Sequence, residues 1–346
     1  MRLTEDDPGY IPLCRASALF PFIGFSESIG APVSRTLSDC KLSHLSQETP
    51  EAFFPLASGF KFVASIARSE GLEHLGFVVG LDTRFQDLGA FGRLVLGSLT
   101  LHDALCKVSS IIHLYNSAQY IWLERHGEKT WICTAYRHKL GDGWKFGEQY
   151  TITLLINCIR AAAGRNWVPA EIHLEQTLFD FVRGRADMIG KSAIRRRSVS
   201  AVVVDSGLLS IPMDRFRSPR PAARDDDFGL LTSSAPPTDF PGSVAQLSRL
   251  FMSDETPQLD SVASVMGVSV RTLQRRLAEH GLDFSSIVER TRFEAAMTLL
   301  HDPSMSLVKI ALELGYSDLS SFSRAFRRWT GVAPGRFRRN QLTGQD

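Results

Sequence analysis

Three polar side chains in the last third of the chain have the spacing needed to act together on one ligand surface. Arg271, Gln274 and Arg275 follow an i, i+3, i+4 pattern, which places them on one face of a helix. Arginine can donate two hydrogen bonds to O6 and N7 of guanine, and glutamine can pair with N6 and N7 of adenine. An isolated surface arginine is more often solvated or ion-paired, so this chemistry requires a scaffold that presents the three together.

A second group of basic side chains follows further along the chain. The stretch from Ser320 to Arg339 contains six arginines and no acidic residue, namely Arg324, Arg327, Arg328, Arg336, Arg338 and Arg339. Such a block is typical of a solvated face, and beside aromatic residues it is also typical of a phosphate-binding surface. Charge alone does not decide between these two interpretations.

The scaffold around the first group has the pattern of a helix-turn-helix. Ala263 is small enough for two helices to approach, and Gly267 can adopt the positive φ that a sharp turn demands. Leu273 would pack the second helix onto the first, and Ser269 stands where an N-cap should begin that helix. The pattern predicts a helix-turn-helix over about residues 259–280.

The same pattern returns forty-eight residues later and predicts a second unit over about 307–328. Ala311 and Gly315 match the small residue and the turn glycine, and Ser317 is predicted to repeat the cap. Arg324 corresponds to the arginine at 275, and the second unit contains one extra residue. The packing pair Leu273 and Leu277 corresponds to Phe322 and Phe326.

A long helix is predicted between the two units. Apolar residues recur at helical spacing from Phe284 to Leu299, and the sequence Asp302-Pro303 ends the pattern. Such a helix would hold the two units at a fixed separation. Two readers on one face of a duplex should lie about one helical turn, roughly 34 Å, apart.

Counting from the predicted caps assigns a role to each exposed side chain. In a helix-turn-helix the N-terminal part of the second helix enters the major groove. Base contacts are therefore predicted for Arg271, Gln274, Arg275, Leu319, Ser320, Ser323 and Arg324. Phosphate contacts, which set the register without reading sequence, are predicted for Ser269, Thr272, Ser321, Arg327 and Arg336.

Length and composition indicate a folded protein of two domains. The chain has 346 residues, of which 44% are hydrophobic and 22% are charged, and one core rarely organises more than about 250–300 residues. We expect an N-terminal domain over 1–212, a Pro- and Ser-rich linker over 213–242, and a DNA-binding domain over 243–346. A short ordered piece is expected within the linker around Phe228–Leu231.

The N-terminal region reads as a mixed α/β domain, a sheet covered by helices. Phe77–Val79 and Val202–Val204 are candidate strands, and Thr100 with Asp103 is typical of a helix cap. Two apolar runs flank His126-Gly127-Glu128 and predict an antiparallel hairpin, and residues from Tyr150 to Ala162 recur at helical spacing. The triplet Arg195–Arg197 favours an exposed loop, with an anionic ligand site as the alternative.

Several classes of function are disfavoured. There is no Gly-rich phosphate loop, nucleophile elbow, C-x-x-C or H-E-x-x-H motif, so we expect no enzyme, cofactor or metal site. His102 with Cys106, and the run Asp225–Asp227, could bind metal, but packing and solvated linker charge explain them more simply. Five scattered cysteines, no signal peptide and no membrane-length apolar stretch indicate a cytoplasmic protein with reduced thiols.

The C-terminal residues closely resemble a known signature. Residues 307–338, including Gly315-Tyr316-Ser317, Phe322-Ser323-Arg324-Ala325-Phe326 and Trp329-Thr330-Gly331, resemble the C-terminal motif of AraC/XylS-type transcriptional regulators. Residues 263–277 resemble the first helix-turn-helix of that family. The resemblance covers roughly 244–339 and implies an all-α DNA-binding domain, promoter DNA and RNA polymerase as partners, and activation as the usual role. It also places the base contacts on the seven residues named above, with Leu319 departing from a polar contact.

The N-terminal region resembles the arabinose-binding-like sensor domain of regulators such as the ornithine-responsive ones. The segments that carry this likeness are Gly30–Val33, Leu75–Gly80, Leu88–Gly92 and Thr100–Leu105. The resemblance implies a small-molecule effector and a homodimer, without implying arabinose. The alternative is a ligand-independent regulator whose N-terminal domain only dimerises.

Overall fold

The computed structural model describes residues 9–182, 192–213, 226–252 and 257–343. These residues form two compact units. The N-terminal unit runs from Pro12 to Pro236, and the C-terminal unit begins at Pro237 and includes Gly9–Ile11. The division between Pro236 and Pro237 lies inside the segment interpreted above as a linker.

The N-terminal unit contains two sheets together with helices, so it belongs to the mixed α/β class that the sequence predicts. Strand β1 (Leu13–Arg15) pairs with β2 (Phe53–Pro55) in an antiparallel ribbon. A five-stranded sheet has the order β3-β4-β7-β5-β6, in which only the β5–β6 pair is parallel. Its strands are β3 (Gln119–His126), β4 (Lys129–Tyr136), β5 (Glu171–Glu175), β6 (Ala193–Arg197) and β7 (Ser200–Asp205).

Helices cover these sheets and supply most of the buried apolar core. In chain order they are α1 (Phe20–Ser28), α2 (Val33–Asp39), α3 (Leu56–Ser69), α4 (Leu75–Asp82), α5 (Gly89–Leu96), α6 (Leu101–Tyr115), α7 (Trp144–Ala163), α8 (Gln176–Val182) and α9 (Asp227–Ser233). Helix α7 lies in the centre of the core, and most of its residues are buried. No described helix is both long enough and apolar enough to cross a bilayer.

Four of the local predictions for this unit are confirmed. The hairpin is β3–β4 with Trp122 opposite Cys133, and the predicted helix is α7. The late valines form β7. Thr100 caps α6 by accepting a hydrogen bond from the Asp103 amide at 3.2 Å. Four of the five cysteines are buried free thiols, and Cys106 is exposed.

The strand predicted at Phe77–Val79 is wrong, because these residues lie in helix α4. Short apolar runs do not distinguish a strand from a buried helix. The deciding feature is the pair Gly76 and Gly80, one helical turn apart, at which α4 lies against α7. A Cβ atom at Gly80 would stand 1.8 Å from the Thr153 hydroxyl oxygen, so only glycine permits this approach.

The loop predicted at Arg195–Arg197 is also wrong. These residues form edge strand β6, which pairs with β5 through its backbone and leaves the side chains mostly exposed. Arg195 Nε lies 2.8 Å from Glu171 Oε1 on that neighbouring strand. A charged edge strand of this kind discourages pairing with a further chain.

Part of the predicted linker is an ordered piece of the N-terminal unit. Helix α9 contains Phe228–Leu231, as expected, but Asp227 is not solvated linker charge. Its carboxylate is buried and pairs with Arg93 through two hydrogen bonds of 2.6 and 3.0 Å. The neighbouring Asp225 lies outside the described residues. The described residues contain no cluster of three or more potential metal-binding side chains.

A buried arginine holds the end of α9. Arg15 on β1 has no solvent exposure and donates to the carbonyl of Leu231 at 3.1 Å and to the hydroxyl of Ser234 at 3.1 Å. It also pairs with Glu51 at 3.0 Å and donates to the carbonyl of Leu114 at 2.9 Å. Arg15 therefore joins β1, the end of α6 and α9 in one network.

The C-terminal unit is all-α. Its helices are α10 (Phe240–Ser248), α11 (Leu259–Met266), α12 (Val270–Glu279), α13 (Phe284–Leu300), α14 (Leu307–Glu313), α15 (Leu319–Thr330) and α16 (Pro334–Thr343). The predicted long helix is α13, which contributes Ala296 and Leu300 to a cluster with Phe322 and Phe326. The two predicted helix-turn-helix units are α11–α12 and α14–α15.

Candidate nucleic-acid interface

Both units make their turn with the same backbone hydrogen bond. The Val268 amide donates to the Ala263 carbonyl at 3.0 Å, and the Tyr316 amide donates to the Ala311 carbonyl at 2.9 Å. In each turn the glycine before the donor has a left-handed φ, +70° at Gly267 and +73° at Gly315. This closure is the usual one for a helix that ends at glycine, and it confirms why alanine and glycine recur at this spacing.

The second helix of the first unit is capped as predicted. The Ser269 hydroxyl accepts a hydrogen bond from the Thr272 amide at 3.1 Å and lies 2.8 Å from the Thr272 hydroxyl. Leu273 and Leu277 are fully buried against the rest of the unit. The opposite face of α12 is exposed and carries Arg271, Gln274 and Arg275.

The cap predicted for the second unit is wrong. Asp318, not Ser317, accepts the hydrogen bond from the Ser321 amide, at 2.7 Å, and the Ser317 hydroxyl donates to the Asp318 carboxylate. The pKa of Asp318 is lowered by the Ser321 amide first and then by the Ser321 hydroxyl. The extra residue of the second unit therefore lies in the turn, between the glycine and the cap.

This correction aligns the two recognition helices. Counted from the caps, three pairs of residues occupy equivalent positions in α12 and α15. They are Arg271 and Ser320, Gln274 and Ser323, and Arg275 and Arg324. The buried pair Phe322 and Phe326 occupies the positions of Leu273 and Leu277. The two helices thus bury one face each and expose matched polar faces.

The side chains of the second reading face differ in exposure. Ser320 and Arg324 are exposed, Ser323 is half-buried, and Arg324 donates to the Ser321 hydroxyl at 3.1 Å. Leu319 is half-buried and packs against the apolar cluster of its own unit. Its free surface is therefore small, which leaves room for an apolar contact with a thymine methyl group at most.

Four of the six arginines of the basic block fall into two groups. Arg328 pairs with Glu289 on α13, and Arg338 donates to the Met305 carbonyl at 2.7 Å, so both support the fold. Arg327 and Arg336 are exposed, as the phosphate role requires. Sequence reasoning did not separate the groups, because the partners at 289 and 305 are distant in the chain.

On the first reading face, Arg275 forms an ion pair with Glu279 one turn later on α12. Both side chains are more than half exposed, at 64% and 54%, and an exposed i, i+4 pair contributes only about 0.3–0.5 kcal/mol. Arg275 can therefore leave Glu279 at small cost when a base edge is offered. The shared cap and turn, and the matched polar faces, define a paired helix-turn-helix DNA-binding protein.

Comparison with known proteins gives the same class for both units. Residues 262–340 match the helix-turn-helix domain family, and residues 30–212 match the arabinose-binding domain of AraC transcription regulators, an N-terminal domain. The chain belongs to the AraC family of transcription regulators, as its sequence indicated.

The curated relatives align with less than a third of this chain. The HTH-type transcriptional regulator VqsM of Pseudomonas aeruginosa is 39% identical over 100 residues, which are 28% of this chain and 31% of VqsM. The ornithine utilization regulator of the same organism is 33% identical over 99 residues, 28% of this chain and 29% of that protein. The chain thus aligns with about three-tenths of these relatives' length.

Solved structures of the same class also match. The transcriptional regulator CdpR of Pseudomonas aeruginosa is 20% identical and aligns over 89% of this chain and 96% of its own, with a TM-score of 0.32. The C-terminal domain of AraT from Geobacillus stearothermophilus is 32% identical over 28% of this chain and 81% of its own, with a TM-score of 0.26.

Proposed function

We propose that this protein is a transcriptional activator that reads two successive major-groove segments and is controlled by a small effector bound to its N-terminal unit. The observation that supports sequence-specific DNA binding is the pair of matched exposed faces on α12 and α15. Base contacts are proposed for Arg271, Gln274 and Arg275 on α12. On α15 they are proposed for Leu319, Ser320, Ser323 and Arg324.

Phosphate contacts from the caps and the basic block would fix the register of the two helices on DNA. Ser269, Thr272 and Ser321 lie at the N-terminal ends of α12 and α15, where free backbone amides favour anions. Arg327 and Arg336 add exposed positive charge on α15 and α16. Phosphate contacts supply sequence-independent affinity that falls as salt rises.

Control by an effector is supported by a cavity next to the Arg15 network. Cys14 and Tyr115 line this cavity, and they flank Arg15 and Leu114, which belong to the network that holds α9. A ligand in the cavity would press on the residues that hold α9. The chain passes from α9 to the C-terminal unit at Pro236–Pro237. A ligand that changes how firmly α9 is held would therefore change DNA binding by the C-terminal unit. The coupling free energy between the two sites would be about 1–3 kcal/mol.

Family membership supports the domain roles and partners that we propose. Residues 1–212 would bind the effector and form a homodimer, 213–242 would connect the domains, and 243–346 would bind promoter DNA. RNA polymerase is the proposed partner in activation. We place the protein in the cytoplasm, where promoter DNA and polymerase are found.

The proposed function is tested by isolating genomic DNA fragments with the full-length protein and sequencing them. We expect enrichment of fragments that share a bipartite motif with half-sites one helical turn apart. Enrichment without a shared motif would contradict sequence-specific reading. Transcription from an enriched promoter, with and without the protein, then gives the sign of regulation.

A further inference from the structure

The cavity in the N-terminal unit is small and is lined by several elements of the fold. Its volume is about 70 Å³, and its walls come from β1, α1, α3, α5, α6, α7 and the β3–β4 hairpin. An engineered apolar cavity of about 150 Å³ binds one benzene ring. The cavity here is about half that size, so a single ring or a short alkyl chain fits only when the lining side chains shift.

The chemistry of the walls is almost entirely apolar. Eight aromatic rings line the cavity, and no charged side chain is among the lining residues. The rings are Phe22, Phe54, Phe60, Phe85, Phe91, Tyr115, Tyr136 and Tyr150. Phe91 stacks on Tyr115 with ring centroids 4.7 Å apart, so the wall nearest the Arg15 network is packed and rigid.

A charged ligand would find no counter-charge there. Arg15, adjacent to the lining residue Cys14, has its guanidinium occupied by Glu51 and by the carbonyls of Leu114 and Leu231. Burying a carboxylate or an ammonium without a partner costs several kcal/mol. A sugar with many hydroxyls meets the same difficulty, because each buried hydroxyl needs its own hydrogen bond.

A few polar atoms remain for recognition. The side-chain amide nitrogen of Gln119 already donates a hydrogen bond of 2.5 Å to the Thr151 hydroxyl. The Tyr150 hydroxyl is buried and has no hydrogen-bond partner of acceptable geometry among the described residues. The Thr83 hydroxyl donates to the Val79 carbonyl and can still accept a hydrogen bond, and it helps to lower the pKa of Tyr150 against the larger effect of burial. The Tyr150 oxygen has lone pairs in either case, so a ligand hydroxyl could donate to it.

We infer that the effector is a compact, uncharged, mainly hydrocarbon molecule with one hydrogen-bonding group, rather than a sugar or an amino acid. This inference rests on the proposed function, in which the effector binds in the N-terminal unit. Two observations support this ligand class, namely the aromatic, charge-free lining of the cavity and the buried hydroxyl of Tyr150.

The test uses the full-length protein and a matched series of one-ring probes at pH 7. Toluene, benzyl alcohol, benzoate and benzylammonium have nearly the same size and differ in charge and in one polar group. We expect the first two to raise Tm by an amount that grows with concentration, as mass action requires. Benzoate, benzylammonium, L-arabinose and L-ornithine should bind at least about tenfold more weakly, given the cost of an unpaired buried charge or hydroxyl.

Two variants locate the binding. Tyr150→Phe should weaken benzyl alcohol about 3–10-fold and leave toluene unchanged, since only the alcohol uses the hydroxyl. Tyr120→Phe is the matched control, because Tyr120 is partly exposed on β3 and does not line the cavity. Val63→Phe, which fills the cavity, should abolish binding of both probes where it folds.

Two outcomes overturn the inference. One is a charged probe, arabinose or ornithine that binds as well as benzyl alcohol, and the other is no Tm shift with either neutral probe. An equal loss for toluene and benzyl alcohol in Tyr150→Phe would also contradict the assigned hydrogen bond. DNA binding is measured separately, so a negative result here with intact DNA recognition overturns the ligand class and not the DNA-binding function.

Discussion

The indole nitrogen of Trp329 donates a hydrogen bond of 2.7 Å to the carboxylate of Glu289. Glu289 lies on the connecting helix α13, and Trp329 lies near the end of the second recognition helix α15. The pKa of Glu289 is lowered by Trp329 first and then by Arg328, so the charged form is favoured in the folded protein. The second recognition helix is therefore fixed to the helix that leads from the first.

Arg275→Ala and Arg324→Ala should each weaken binding to the cognate site by about 1–3 kcal/mol, because each would remove the two hydrogen bonds that we propose to a base. Each variant should also lose preference at a separate base position. Fluorescence anisotropy with single-base-pair variants of the site measures both effects.

Arg336→Ala is the control for these two variants. It should weaken binding to all sequences similarly and reduce the dependence on salt, since it would remove the phosphate contact that we propose for Arg336. Equal losses on cognate and random DNA for Arg275→Ala or Arg324→Ala would contradict a base-reading role.

The sequence predicted this region well because its signals are local. A glycine with positive φ, a small residue four positions earlier and a buried pair lie within a few turns of one another. The cap at Asp318 was missed because the extra residue was not placed in the turn. In the N-terminal unit, helix α4 and strand β6 were missed because their assignment depends on the distant partners α7 and β5.

Gly267→Ala should destabilise the C-terminal unit by about 1–2 kcal/mol, the cost of a left-handed residue with a Cβ. A Cβ at Gly267 would meet no atom within 4 Å, so the effect isolates the backbone conformation. Urea unfolding followed by circular dichroism measures the change.

Gly335→Ala is the matched control, since Gly335 lies in helix α16 and its added Cβ would make an ordinary 3.4 Å contact with Leu307. It should be neutral or slightly stabilising. A Gly267→Ala protein as stable as this control would contradict the strained turn.

Glu148→Gln should stabilise the protein above pH 7 and have little effect near pH 4. Burial raises the pKa of Glu148 to about 7, so the folded protein binds a proton that the unfolded chain releases near 4.5. The buried carboxyl therefore lowers the free energy of unfolding of the wild type increasingly as pH rises from about 4.5 to 7, by about 3 kcal/mol in all. Urea unfolding at several pH values tests the slope.

Glu124→Gln serves as the control, because the pKa of the half-exposed Glu124 is lowered by hydrogen bonds from Trp122 and His126. The stabilisation from the wild-type Glu124 carboxylate is lost as pH falls below about 4.5, which is the opposite of the trend expected for Glu148. A Glu148→Gln protein with the same pH dependence as the wild type would contradict the buried, protonated carboxyl.

Asp227→Asn should destabilise the N-terminal unit by about 3 kcal/mol, because it leaves the Arg93 guanidinium largely buried without its counter-charge. It should also release α9, so that proteases cut near residue 227 faster than in the wild type. Urea unfolding and limited proteolysis with mass spectrometry measure the two effects.

Asp226→Asn is the neighbouring control, because the Asp226 carboxylate makes no ion pair with another described residue, unlike that of Asp227. It should unfold and cleave like the wild type. If both variants behaved alike, α9 would not depend on the buried pair.

Hydroxyl-radical footprinting of the full-length protein on an enriched promoter fragment tests the paired reader most directly. We expect two protected segments on one face of the duplex, about 10–10.5 base pairs apart, as for two recognition helices in consecutive major grooves. Arg275→Ala should weaken protection at one segment and Arg324→Ala at the other. A single protected segment, or two on opposite faces, would contradict the paired reader.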